Sequence, residues 1–235
     1  MNTEHYHIEV SGIDVDVIKK DIKNIHLAVY PPTGRVRLSS PYSMKRESLR
    51  LFIISKLGWI KKHIRNMNSQ IREPERKYIQ GESHWVEGHR YLLNIIEKDA
   101  APKVEIRNNR YLDLYIRPGS GKDKKEEVVR EWYRNRMKTQ IPDLISFWED
   151  KLGVKIQDWG IKLMKTKWGS CNIEKQRIWL NLELAKKPKH CLDYVILHEM
   201  IHLIERHHTD RFKALLDKHM PSWKNRREEL NEVVY

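Results

Sequence analysis

The segment His198-Glu199-Met200-Ile201-His202 has the residue types and the spacing for metal-assisted hydrolysis. Residues four apart on an α-helix are separated by about 400°, within about 40° of eclipsed. His198 and His202 therefore project from one face, where two neutral imidazoles can bind one zinc ion. Glu199 lies beside them and can take a proton from a metal-activated water without being a ligand. Such a pattern is expected by chance about 0.05 times in a chain of this length and composition. Leu192, Ile196, Met200 and Leu203 form an apolar stripe through the same segment, as a buried active-site helix requires.

Catalytic zinc takes three protein ligands and keeps a fourth position for water. Candidates for the third ligand are His208, its neighbour His207, Glu205 one turn on, and Glu228 or Glu229 from a later helix. Spacing favours His208, because five intervening residues suffice for one turn and a reversal of the chain. Glu205 is expected to continue up the helix and away from the metal.

Several segments must position this helix. Residues 5–40 alternate as strands, in His7-Ile8-Glu9-Val10, Ile13-Asp14-Val15-Asp16-Val17 and Ile25-His26-Leu27-Ala28-Val29, with a turn at Pro31-Pro32-Thr33-Gly34. An antiparallel meander is the expectation. One amphipathic helix is expected over 43–67, with Ser43 as N-cap. A polar connector over 68–77 precedes strands at 84–87, 90–97, 103–107 and 111–116, and a loop at Pro118-Gly119-Ser120-Gly121. A long helix should run from 124 to 152, kinked or divided at Pro142. Short strands are expected near 154–158, 161–166 and 177–182. Pro188 should open the motif helix, which is expected to reach Glu205, with further helices at 209–218 and 221–232. The pattern is α+β: a β-rich N-terminal domain at 1–120, then a helical catalytic domain at 121–235 with a small antiparallel sheet. No internal repeat is visible in the sequence.

The motifs resemble the YgjP-like metal-dependent hydrolases, a metallopeptidase-like family. Trp168-Gly169-Ser170-Cys171, Ile178-Trp179-Leu180-Asn181, Asp193-Tyr194-Val195, His198-Glu199-Met200-Ile201-His202-Leu203 and His208-Thr209 with Phe212 follow the family's order RWGSC, LN, DYV, HELxHL, NHSxxF. Met220-Pro221-Ser222-Trp223 with Arg226-Arg227 looks like its closing segment. Arg35-Val36-Arg37, Pro41 and Gly58-Trp59-Ile60-Lys61-Lys62 extend the likeness over nearly the whole chain. The resemblance implies a zincin-like catalytic half, with His198, His202 and His208 as zinc ligands, one Zn2+ per chain, and Glu199 as base. Lys167 replaces the usual Arg, keeping charge but losing the bidentate fork. His207 replaces Asn, and the lack of Gly at 205 excludes a metzincin turn.

Lys167, Trp168, Gly169 and Ser170 are candidates for the edge of a substrate groove, or for a structural bend beneath the zinc helix. Cys171 reads as a buried, inert thiol. Asp193 either orients a zinc-bound histidine or stabilises the helix's first turn.

Lys+Arg number 45 against 32 Asp+Glu, a formal charge of +13, which suits anionic partners or a lysine-rich coat. Eight Trp and ten Tyr argue for a folded chain. No stretch approaches the ~20 apolar residues that span a bilayer. Two cysteines are too few for a disulfide framework, and MNTEHYHIEVSG lacks a signal peptide's basic start and apolar core. A cytoplasmic location follows as the expectation. Three functions compete: hydrolysis of a peptide or protein substrate, pyrophosphohydrolysis of a nucleotide, and nucleic-acid association through a basic surface with a structural metal. No glycine-rich phosphate loop supports the nucleotide reading.

Overall fold

Alternation, turn residues and helical periodicity produce eleven strands and seven helices among the described residues of the computed structural model, 4–30, 34–69 and 76–232. The turn residues 31–33 and most of the polar connector lie outside them. Two compact units divide at 72/73, not at 120/121 as the sequence reading placed the boundary.

The first unit carries β1 (Glu4–Val10), β2 (Ile13–Lys20), β3 (His26–Tyr30) and β4 (Arg35–Pro41) in the order β1-β2-β4-β3. The expected meander is corrected: β2 and β4 pair in parallel, Val15 opposite Val36, so β3 lies at the edge. Alternation predicts strands but is blind to their direction, because both pairings have a period of two. The expected single helix is also two, α1 (Arg46–Ser55) and α2 (Leu57–Ser69). Lys45, not Ser43, is the N-cap of α1, and no side chain caps it. Leu49, Ile53 and Ile60 from these helices pack on Val15, Val17, Val36 and Leu38.

The second unit opens with β5 (Ser83–Val86), β6 (His89–Glu97), β7 (Lys103–Arg107) and β8 (Tyr111–Ile116), close to the expected strands. Their order, β5-β6-β8-β7, and their pairings repeat those of the first sheet: antiparallel, parallel, antiparallel. The backbone thus repeats a topology that the sequence does not betray. Pro142 stands at the start of α4 (Ile141–Leu152), dividing it from α3 (Lys122–Lys138). A proline is tolerated there because first-turn N–H groups have no helical partner.

This second sheet belongs with the elements around the motif helix. One hydrophobic core joins Leu93, Leu112 and Leu114 to Val129 and Tyr133 of α3 and to the buried residues of the motif helix. The β5–β6 turn is fastened as well: Arg136 grips Glu87 at 2.6 and 2.9 Å, and Tyr133 donates to the Trp85 carbonyl at 2.6 Å. A Cβ on Gly88 (φ +85°) would lie 2.8 Å from Pro188, at the start of the motif helix.

His84 of β5 yields a pH prediction. Its buried ring nitrogen lies 3.0 Å from Glu82, yet burial lowers its pKa to about 4, with Arg76 adding and Glu82 opposing. Between pH 6.5 and about 4 the unfolded chain binds a proton that the native state refuses. Stability is therefore full above pH 6.5 and falls as pH drops toward 4, by on the order of 3 kcal/mol from this residue. Urea unfolding of His84→Gln is expected to show a shallower acid slope than the parent; equal slopes would refute the assignment.

The remaining strands, β9 (Asp158–Lys162), β10 (Gly169–Asn172) and β11 (Arg177–Asn181), form a sheet of order β10-β11-β9. It is mixed rather than antiparallel, since β11 and β9 run parallel. Residues 154–157 are not strand, and 163–168 are a loop, correcting the expected 154–158 and 161–166. A short 3-10 turn, Leu182–Lys186, leads to α5 (Lys189–Ile201), followed by α6 (Asp210–His219) and α7 (Trp223–Asn231). None of the helices described is long and apolar enough to cross a membrane.

Candidate metal centre

The motif helix α5 is buried nearly all round: Tyr194 to Leu197 and Glu199 to Ile201 are all in the core. Such a helix lies inside a fold rather than on its surface. His198 and His202 are exceptions, half-buried and facing the cavity described below.

The helix ends at Ile201, with His202 as its C-cap, and does not reach Glu205. Residues 202–204 form a turn, and the Glu205 N–H still makes an i→i−4 bond to the Ile201 carbonyl at 2.9 Å, so the chain leaves the helical course only beyond it. The Glu205 carbonyl lies 3.2 Å from His202 Nδ1. Donation to that carbonyl leaves the His202 Nε2 lone pair free for a metal. Thr209 then starts α6, its hydroxyl accepting the Phe212 N–H at 3.3 Å. His208, just before this cap, is thus returned to the other two histidines.

The ring centroids of His198, His202 and His208 lie 4.8 to 5.2 Å apart. One ligand atom from each falls within 4.8 Å of the others, a group that could hold a metal ion. Nε2 of His198 and Nε2 of His208 face each other at 3.0 Å, both directed into one small space. Burial lowers the His198 pKa to about 3, with His202 and His208 adding, and burial also lowers His202. Both rings are therefore neutral, the form that ligates zinc. A donor set of three imidazoles fits a zinc ion. Phe212, quoted above only within a motif, packs against all three rings at 4.7 to 5.0 Å.

The other candidates for a third ligand are elsewhere. His207 is exposed and outside the cluster, Glu229 pairs with His190, and Glu228 does not join the group.

Glu199 is 6% exposed, and burial raises its pKa to about 7, with Lys167 opposing. Gly169 of β10 makes room for this carboxyl: a Cβ there would lie 2.7 Å from both Cγ and Oε1 of Glu199. Gly169→Ala is therefore expected to displace Glu199 and to cost roughly 1–3 kcal/mol of stability from overpacking. Thermal unfolding and turnover of the variant test this; parental values for both would mean that the strand yields without moving the carboxyl.

Lys167, Trp168, Gly169 and Ser170 line one cavity of about 1150 Å³ together with His198 and Glu199. Asn181 holds this wall in place. Its side chain donates to the Met164 and Lys167 carbonyls at 3.0 and 2.8 Å, and its backbone N–H donates to the Trp168 carbonyl at 2.9 Å. Sequence reasoning gave Asn181 no role beyond its motif, and its only signal was a polar residue ending an apolar strand. Cys171 also lines the cavity, but burial, aided by Glu199, pushes its thiol up to about 11, so it is no nucleophile at neutral pH.

Asp193 does neither task weighed for it. It accepts from Trp148 Nε1 at 2.7 Å and from Arg226 at 2.6 Å, tying α5 to α4 and α7. Arg227, the next residue, instead lines the cavity.

No curated protein matches the chain. Among solved structures, the metallopeptidase zymogen of Pyrococcus abyssi abylysin is similar at 20% identity with a TM-score of 0.35, covering 37% of this chain and 89% of its own. The sequence pattern of the YgjP-like, metallopeptidase domain family matches residues 23–233. That span is nearly the whole chain, and the protein accordingly belongs to the YgjP-like family of metallopeptidase domains.

Proposed function

We propose that this protein is a zinc-dependent hydrolase that cleaves peptide bonds, with Glu199 as general base. The observation that carries this reading is the convergence of three histidine ring nitrogens beside a buried carboxyl. His198, His202 and His208 would hold the ion, leaving one position open. Zinc bound there would supply Lewis acidity, acidifying water and polarising a carbonyl. The Glu199 carboxylate takes a proton on an Oε atom and returns it to the leaving amine. Asn181 and Gly169 act on position: one fixes the wall at 167–168, the other leaves the carboxyl its space.

A specific observation favours a second substrate class. Lys167, Arg206, Lys213 and Arg227 line the same cavity, against Glu174 and Glu199. A cationic wall of this kind suits an anion such as a nucleoside triphosphate, cleaved to monophosphate and pyrophosphate. Nucleic-acid association through the basic surface would add to either activity and should weaken steeply with salt.

The deciding experiment loads the protein with zinc and assays casein-type peptides and a nucleotide panel side by side, with Glu199→Gln as control. Turnover of peptides that Glu199→Gln lacks is the expected result. Turnover of nucleotides alone would replace peptide by phosphoanhydride as substrate, and turnover of neither would end the hydrolase reading.

A further inference from the structure

On the first unit, β1 and β2 bring together a group of residues that the hydrolase reading does not use. His5 and His7 stand two apart on β1, so both project from the same face of the sheet. On β2, His7 is paired opposite Asp16. Asp16 is 1% exposed, although the histidines around it are open to solvent. A buried carboxylate needs compensation. Its Oδ2 receives it from Arg35 at 2.6 Å and Arg37 at 3.0 Å. Oδ1 is left to the His5 ring, whose Nε2 lies 2.5 Å away. Burial opposes charge on Asp16, but hydrogen bonds from Arg37 and Arg35 hold its carboxyl below the usual carboxylate range, so it is an anion.

The second imidazole is also prepared. His7 Nδ1 lies 2.8 Å from an Asp14 carboxylate oxygen. A carboxylate that takes the Nδ1 proton fixes the tautomer and leaves Nε2 as a free donor, the arrangement found behind metal-bound histidines. The His5 and His7 rings stand edge to face with centroids 5.9 Å apart. One ligand atom from each of His5, His7 and Asp16 falls within 4.8 Å of the others.

We propose that His5, His7 and Asp16 form a second divalent-metal site, one suited to a borderline d-block ion such as zinc or nickel. Two imidazoles and one carboxylate oxygen match such ions, whereas calcium and magnesium require mostly oxygen donors. Arg35 and Arg37 occupy Oδ2, so Asp16 ligates through Oδ1 alone, and water completes the shell. The ion fastens β1, an edge strand, to β2, which gives the site a structural role. It stands on its own residues and does not depend on the function proposed for His198, Glu199 and His202.

Zinc bound per chain, measured on the full-length protein after chelation and dialysis against micromolar zinc, tests the inference. Two ions are expected in the parent and one in His5→Ala/His7→Ala. One ion is also expected in His198→Ala/His202→Ala, which leaves β1 untouched. A His5→Ala/His7→Ala variant that keeps the parental count, or a His198→Ala/His202→Ala variant that binds no ion, overturns the proposal. Circular dichroism of each variant shows that it is folded. Cobalt in place of zinc supplies an independent readout in the parent. Nitrogen and oxygen donors give no thiolate charge-transfer band, and its presence would place the second ion at the His190, Cys191 and Glu229 group instead.

Discussion

Glu199→Gln is expected to bind zinc like the parent and to lose turnover by about 10²–10⁴-fold, the range supplied by a positioned acid–base group. Glutamine keeps the shape of the side chain, so it should fit the space under Gly169 that a Cβ would close. It also removes the cost of holding a charge at a position 6% exposed, so the variant should be no less stable. What it cannot do is accept a proton. The loss should therefore fall on kcat, with KM nearly unchanged, because an interaction made only in the transition state is removed. Steady-state kinetics on the substrate identified by the parallel assay, together with zinc content, check each part. Full activity in the variant would take the role of base away from Glu199.

His208→Ala should separate metal binding from folding. The side chain is exposed and lies in the turn between α5 and α6, so its removal should change the stability of the zinc-free chain by less than about 0.5 kcal/mol. Zinc affinity should fall by more than about 100-fold, since loss of even an outer-shell partner costs 10–100-fold. Activity should fall with it. His207→Ala is the matched control: it is adjacent and exposed, and it is outside the cluster, so its zinc affinity should stay parental. Competition with a chromophoric chelator measures both variants, and unchanged affinity in His208→Ala would remove it from the ligand set.

Local features of the chain were legible wherever a short-range rule governs them. The strands at 84–87, 90–97, 103–107 and 111–116 were placed within a residue or two, because alternation and turn residues such as Gly88 act locally. The division of the long helix at Pro142 was anticipated for the same reason. Partner and direction are set by distant residues, so the parallel pairs β2–β4, β6–β8 and β9–β11 could not be read from alternation. The polar connector at 68–77 was legible, but that the division falls there and not at the Pro118–Gly121 loop depends on β5–β8 sharing one core with the motif helix, which neither loop signal reveals. Whether a helix is one or two can rest on a single residue: α1 stops at Lys56 although the apolar period continues through Ile60.

The same line divides the candidate metal centre. By itself the sequence determined that His198, Glu199 and His202 share a helix and that both histidines face one way, since the 3.6-residue turn fixes this before any tertiary contact forms. It also offered His208 as a third member, but among four alternatives. Tertiary structure alone decided which of them meets the pair. Ending α5 at Ile201 and capping α6 with Thr209 turns the chain back, bringing His208 Nε2 to 3.0 Å from His198 Nε2 over the ring of Phe212. It decided as well that Gly169, thirty residues earlier, leaves room for the Glu199 carboxyl, and that Asn181 holds the wall beside it. The reason is physical: helical phase is a property of neighbouring residues, whereas a chain reversal and a close approach between a strand and a helix exist only once the core has packed.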